Sequence, residues 1–173
     1  MTGPGGPDLR PHPDPPPFLL EAVPHPAPCT LAVSIHASHL SGTIAHVSNT
    51  EYVRWIDRAA ELHGDAAGLS RAALLEKGVM WFVARHEIDY RAEAHAGDEL
   101  VVATWVERIA RVKAWRSTLV VRPSDETVVC TASTLWVLVD LARRRPIRIP
   151  ATMVGALDPR MRPGTTNPCE VTT

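Results

Sequence analysis

The sequence predicts an α+β fold in which one long helix packs against a curled antiparallel sheet. Three observations predict it. Tyr52, Trp55, Ile56, Ala59, Ala60 and Leu62 recur at helical spacing, so a single apolar stripe runs along residues 48–63. From residue 80 the chain changes to long runs rich in Val, Thr and Trp, the composition of strands. The separators between those runs are only a few residues long, which favours antiparallel neighbours. A helix stripe and one face of a sheet bury each other, and the sheet's outer face is then expected to stay wet.

Each element has a local reason. Residues 30–36 alternate well enough for a first strand, and 39–47 form a loop containing Gly42. Ser48 and Glu51 have capping-box spacing: the Ser hydroxyl accepts the third helical amide and the Glu carboxylate bonds back. His63-Gly64-Asp65 is expected to end this helix, with Gly64 as a left-handed cap. Residues 70–77 predict a short second helix stopped by Gly78. Strands are expected over 80–93, 99–108, 112–122 and 127–140, separated at Ala96-Gly97-Asp98, Ala110-Arg111 and Pro123-Ser124-Asp125. Simple alternation puts Phe82, Ala84, Ile88 and Tyr90 on one face and Arg85, Glu87, Asp89 and Arg91 on the other. There is no internal repeat.

The length of 173 residues fits one domain with a core of its own. Ten of the sixteen prolines fall in residues 1–28, so that segment is expected to be a disordered Pro-rich extension. Residues 29–157 form the expected domain, and the polar 158–173 a flexible tail. The formal net charge is −1, which argues against a nucleic-acid or anionic-membrane partner. No apolar run approaches a membrane span, and no secretory signal pattern is present. Cys29, Cys130 and Cys169 are widely spaced with no CxxC, which is read as three reduced thiols of a cytoplasmic protein.

At three places the chain resembles a known family. His46-Val47-Ser48-Asn49-Thr50-Glu51-Tyr52-Val53-Arg54-Trp55 is similar to the HVNNxxYxRW signature of hotdog-fold acyl-CoA and acyl-carrier-protein thioesterases. Ala84 to Arg91, followed by Ala96-Gly97-Asp98-Glu99-Leu100, resembles the family's RxxIxYxRPAxxGDEL strand. Trp136 to Asp140, followed by Pro146 to Pro150, resembles its last strand and Pro-rich exit. The blocks occur in the family's order over roughly residues 30–150. The resemblance implies a hotdog fold, thioester hydrolysis, and an active site shared in a homodimer or homotetramer. It implies no metal or organic cofactor, with coenzyme A entering as part of the substrate.

The resemblance also locates the chemistry. In the Asp-type branch an acidic residue in the loop before the helix acts as base or nucleophile, and helix amides polarise the thioester carbonyl. That acid falls ten positions before the signature Tyr, where this chain has Gly42. The plant-type DxNxHVNN pattern keeps only His46, Val47 and Asn49 here, with Ile44 in place of its Asn. His46 is the leading replacement base, because an imidazole titrates near neutral pH; its other reading is a loop-packing residue. Asn49 either orients water or starts the helix. His39 sits in the loop, and Glu51 is a base only if it is not capping. Asp57 and Glu61 lie further along the helix, where some branches place their acid, or are solvated charges. Ser48, Thr50 and Tyr52 are expected to contact the substrate.

Arg144, within Arg143-Arg144-Arg145, is a candidate grip for the nucleotide phosphates, as are Arg108, Arg111, Lys113 and Arg116. Trp81, Trp105, Trp115 and Trp136 either line an acyl tunnel or pack in the core or interface. His36, His39 and His46 do not read as a metal site: residues three apart on extended backbone diverge, and no acid or Cys completes the set.

Overall fold

The computed structural model describes residues 9–160. In chain order these form β1 (Arg10–Pro11), α1 (Pro17–Ala22), β2 (Cys29–Ser34), a 3₁₀ turn (Ala37–His39), α2 (Asn49–Ala66), α3 (Arg71–Glu76), β3 (Val79–Tyr90), β4 (Glu99–Ala110), β5 (Lys113–Arg122), β6 (Thr127–Asp140), β7 (Arg145–Pro146) and α4 (Ala151–Leu157). The strands make one antiparallel sheet in the order β1-β2-β4-β5-β6-β3, with β7 beside β6. The sheet wraps α2, the hotdog arrangement.

The stripe on α2 is the reason for the wrap. Tyr52, Trp55, Ile56, Ala59 and Ala60 are buried, and Tyr52, Trp55 and Ala59 pack against Leu31, Val33, Leu100, Val102 and Val120. Trp55 is fully buried. α2 runs three residues past the expected end. Gly64 stays helical, and the left-handed residue is Gly68, with φ 71°. The expected capping box does not form. Ser48 holds the N-cap position, but its hydroxyl bonds that of Thr50 at 2.8 Å, and Glu51 pairs with Arg54 at 2.9 Å. Two nearer partners outcompete the orphan amides. α3 does match its prediction, with Ser70 Oγ accepting from the Ala73 amide and Gly78 closing at φ 66°.

The N-terminal segment differs from its expectation. Residues 1–8 lie outside the described residues, but residues 9–28 pack on the domain. His12 and Thr30 exchange two hydrogen bonds, so β1 extends the sheet beside β2. Leu19 and Val23 are fully buried against Val101, Ala103, Trp105, Leu119 and Val121. Those residues alternate with Leu100, Val102 and Val120, so they occupy the sheet face away from α2. Part of the outer face is therefore dry. Proline density misled here: Pro17 sits at N1 of α1, where its fixed φ suits a helix start. His25 then anchors the segment, with Nε2 2.7 Å from the Asp158 carbonyl. The rest of the expected tail, residues 161–173 including Cys169, lies outside the described residues.

Among the described residues β3 is an edge strand that pairs only with β6. Its register shifts between Val83 and Arg85, so Ala84 is the extra residue of a bulge. The bulge resets the alternation. Cross-strand partners share a face, which groups Trp81, Val83, His86, Ile88 and Tyr90 opposite Leu138, Trp136, Thr134, Ala132 and Cys130. Phe82 instead shares a face with Arg85, Glu87 and Asp89, contrary to simple alternation.

Candidate active site

The loop before α2 is held by backbone. Leu40 and Val47 form an isolated bridge, the Ser41 amide donates to the His46 carbonyl at 2.8 Å, and the Ser48 amide donates to the His39 carbonyl at 2.9 Å. The Val47 amide reaches the Ala94 carbonyl at 2.8 Å, and His95 Nδ1 lies 2.8 Å from the Ala45 carbonyl. These bonds deliver His46 and Asn49 to a cleft of about 230 Å³ completed by Tyr52, Tyr90, Arg91 and Glu93. His46 Nδ1 is buried, has no hydrogen-bond partner, and lies 4.0 Å from Glu93 Oε1. Burial raises the Tyr52 and Tyr90 phenol pKa values, which keeps both hydroxyls protonated. Tyr90 already donates to the Asn49 carbonyl at 3.4 Å. Ser48 makes no side-chain capping bond, and the Glu51 amide donates to the Ser48 carbonyl at 2.9 Å, which leaves the Asn49 and Thr50 amides at the positive end of the helix dipole.

The structure brings His46, Asn49 and Tyr52 together, with Ser48 and Thr50 at the same helix start. It separates the other expected residues. His39 is buried; its Nδ1 accepts from the His36 amide at 3.0 Å, and its ring stands edge-on to Trp55. The 37–39 segment is a 3₁₀ turn, not extended, so the His36 and His39 rings lie side by side at 5.6 Å. Among the described residues no three His, Cys, Asp or Glu side chains gather into a group that could hold a metal. Glu51 is buried and tied to Arg54. Arg144 lies in the β6–β7 turn, beyond the Val79–Asp140 pair and so at the opposite end of β3 from Tyr90. A Cβ on Gly42 would meet nothing within 4 Å, so space is not what keeps an acid from that position.

A larger cavity, about 400 Å³, opens along the second half of α2. Trp81, Val83, Leu69, Leu74 and Trp136 supply apolar wall, and Asp57, Glu61 and Arg116 supply charge. Burial, then the Glu61 carboxylate, raises the Asp57 pKa; the opposing influences are His86 and Arg71. Glu61 is itself paired with both Arg58 and Arg71. Of the four candidate tunnel tryptophans, Trp81 and Trp136 line this cavity. Trp105 is buried beneath α1, and Trp115 stacks under Arg108 at 3.5 Å. Arg116 is not on the surface to grip a phosphate. It is 5% exposed and bonds His63. The pattern alone did not show this, since both faces of β5 carry apolar residues and both are covered.

The fold has close counterparts among solved structures. A 1,4-dihydroxy-2-naphthoyl-CoA thioesterase from Synechocystis matches with a TM-score of 0.69 at 18% identity, over 76% of this chain and 96% of that one. A Staphylococcus aureus protein solved in complex with CoA matches with a TM-score of 0.75 at 14% identity, over 81% and 89%. An acyl-ACP thioesterase from Bacteroides thetaiotaomicron matches with a TM-score of 0.71 at 19% identity, over 84% of this chain and 56% of that one. At these identities the likeness is one of fold. No curated protein matches the sequence. No described helix is long and apolar enough to cross a membrane. The model of the thioesterase-like superfamily matches residues 43–157, from the loop before α2 to the end of α4, and the chain belongs to that superfamily.

Proposed function

We propose that this protein hydrolyses an acyl thioester of coenzyme A, or of an acyl carrier protein, to a carboxylic acid and a free thiol. The observation that carries the reading is the cleft at the start of α2, where His46 adjoins the Asn49 and Thr50 amides of a helix start with no side-chain cap. The thioester carbonyl oxygen accepts from those amides, which stabilise the negative charge it gains. His46 takes a proton from water as the water oxygen bonds to the carbonyl carbon. The tetrahedral intermediate collapses, the carbon–sulfur bond breaks, and His46 returns the proton to the leaving thiolate. No metal or organic cofactor takes part. The CoA complex of the Staphylococcus aureus neighbour supports a nucleotide thioester as substrate.

The site is completed by a second copy of the chain. β3 is a long unpaired edge bearing exposed Phe82 and Val83, the kind of edge that proteins cover. A two-fold axis through the middle of β3 pairs it with itself, antiparallel. Residues near Trp81 of one copy then lie beside Tyr90 of the other. The large cavity of one subunit is thereby set next to the small cleft of its neighbour, giving an acyl chain somewhere to go.

Release of free thiol from a panel of acyl-CoAs tests the activity, with His46→Ala and Asp57→Asn assayed in parallel. Loss of turnover in His46→Ala alone supports the mechanism. Loss in Asp57→Asn alone moves the base to the helix, where burial already raises the Asp57 pKa. Tight binding without turnover in the wild type replaces the enzyme with an acyl-CoA-binding protein. That second reading is favoured by Gly42, which stands where the family places its loop acid.

A further inference from the structure

The large cavity contains a buried cation with no anion. Arg116 lies on β5 in the same alternation as Thr118 and Val120, and so on the face beneath α2. It is 5% exposed and forms part of the cavity wall. Its Nη1 donates to His63 Nδ1 at 2.8 Å and to Thr104 Oγ1 at 3.3 Å, and both acceptors are uncharged. Accepting at Nδ1 fixes the His63 proton on Nε2, and burial with the nearby guanidinium pushes the His63 pKa down to about 3. His63 therefore contributes no charge at neutral pH. Burial lowers the Arg116 pKa to about 10, which leaves the guanidinium charged there.

None of the ion pairs among the described residues includes Arg116. The carboxylates that share the cavity do not answer it. Glu61 is held by Arg58 and Arg71, Asp57 is only half-buried, and Asp65 is exposed. A buried charge is costly unless it is paired, and removing water from a guanidinium strengthens its pull on any anion that arrives. The Nε and Nη2 donors make no hydrogen bond among the described residues, and their planar fork matches the two oxygens of a carboxylate. The cavity's apolar lining is Trp81, Val83, Leu69, Leu74 and Trp136, and its other cations, Arg58 and Arg71, are both paired with Glu61.

An apolar wall ending on an unpaired guanidinium selects an apolar chain with an anionic end. We propose that the cavity receives the acyl group of a thioester whose far end is a carboxylate, and that Arg116 binds that carboxylate. The identity of the group as an acyl chain rests on the thioesterase reading above; the carboxylate site does not.

The test compares CoA thioesters of equal length on the full chain: succinyl-, adipoyl- and suberoyl-CoA against butyryl-, hexanoyl- and octanoyl-CoA. At the best length the carboxylate-ended member is expected to have the higher kcat/KM by roughly tenfold or more, because the methyl-ended one leaves the guanidinium unpaired. Arg116→Gln should erase that preference while keeping hydrolysis of the methyl-ended partner. Where Arg116→Gln fails to fold, Arg116→Lys, which keeps the charge, should retain part of the preference. Calorimetry of free adipate and free hexanoate on the wild type needs neither a variant nor catalysis, and adipate should bind the more tightly. Equal or better hydrolysis of the methyl-ended series overturns the carboxylate site and leaves the thioesterase standing. Tighter binding of adipate than of hexanoate with no thioester hydrolysed does the reverse.

Discussion

His46 and His63 lie near opposite ends of α2 and show how surroundings decide what an imidazole does. His46 was legible in the sequence because it belongs to a signature whose spacing fixes it two residues before the N-cap Ser48. If it is the base, His46→Ala lowers turnover on the order of a hundredfold while far-ultraviolet circular dichroism and acyl-CoA binding stay as in the wild type. Gly42 was legible in the same way, as a departure from the signature. Its φ is not left-handed and a Cβ there meets nothing within 4 Å, so Gly42→Asp should fold as the wild type does. The same variant should hydrolyse faster if the loop acid is what the chain lacks; unchanged or lower thiol release would show that the site works without one. His63 and Arg116 were not legible, because a charged residue in an alternating strand looks the same whether the face beyond it is water or a helix. Their pairing has a pH signature. Burial, Arg116 and His25 lower the His63 pKa to about 3, opposed by Asp158, whereas an unfolded chain protonates His63 near 6.5. The unfolded state then binds the extra proton between those values, so the stabilising contribution is intact above about pH 6.5 and is lost as pH falls toward 3. The loss approaches about 1.4 kcal/mol per pH unit at most. Urea melts from pH 7 to pH 4 should therefore fall more steeply for the wild type than for His63→Gln; parallel curves would deny the buried, neutral His63.

Among the elements, the long ones were legible and the short ones were not. β4, β5 and β6 carry enough Val, Thr and Trp for composition to decide, and α2 has a stripe about three turns long. The bulge at Ala84 leaves no mark in a single sequence, since it changes the pairing and not the residue types. α1 was hidden for another reason. A six-residue helix among prolines has too few turns to show a period, and only the outer face of β4 and β5 gives it something to bury. That face changes what a truncation should do. Deleting residues 1–27 uncovers Trp105, Leu119 and Val121 and removes the His25–Asp158 tie, so the melting temperature should drop by several degrees or more. Leu19→Ala isolates the packing contribution. The side chain is fully buried, and its truncation should cost about 2–5 kcal/mol in a denaturant melt. A cost near zero would mean that α1 lifts off the sheet in solution.

At the scale of the whole molecule, the sheet has two very different edges. On one side β1 is a two-residue strand, too short to recruit a partner. On the other, β3 is twelve residues long, paired on one side only, and exposed along most of its length. Phe82 is 50% exposed and Val83 37%, and Val53 on α2 adds a third exposed apolar side chain. A lone chain with such an edge would expose unpaired backbone and large apolar groups together, an aggregation site unless it is covered. The proposed self-pairing of β3 across a two-fold axis would cover both, and the same operation would set one subunit's cavity beside the other's cleft. Assembly and activity are therefore expected to fail together. Light scattering should give at least a dimer for the wild type at micromolar concentration. Ala84→Asp with Arg85→Asp places like charges at the axis, outside the cavity wall, and should shift the protein to monomer. The folded unit should survive the change, because neither residue belongs to the clusters packed by α1 or α2. Thiol release should then fall with the dimer fraction, and raising the protein concentration should restore part of it. A monomeric double variant that keeps full turnover would show that each chain carries a complete site of its own, and that the long cavity and the small cleft of a single subunit must be joined by another route.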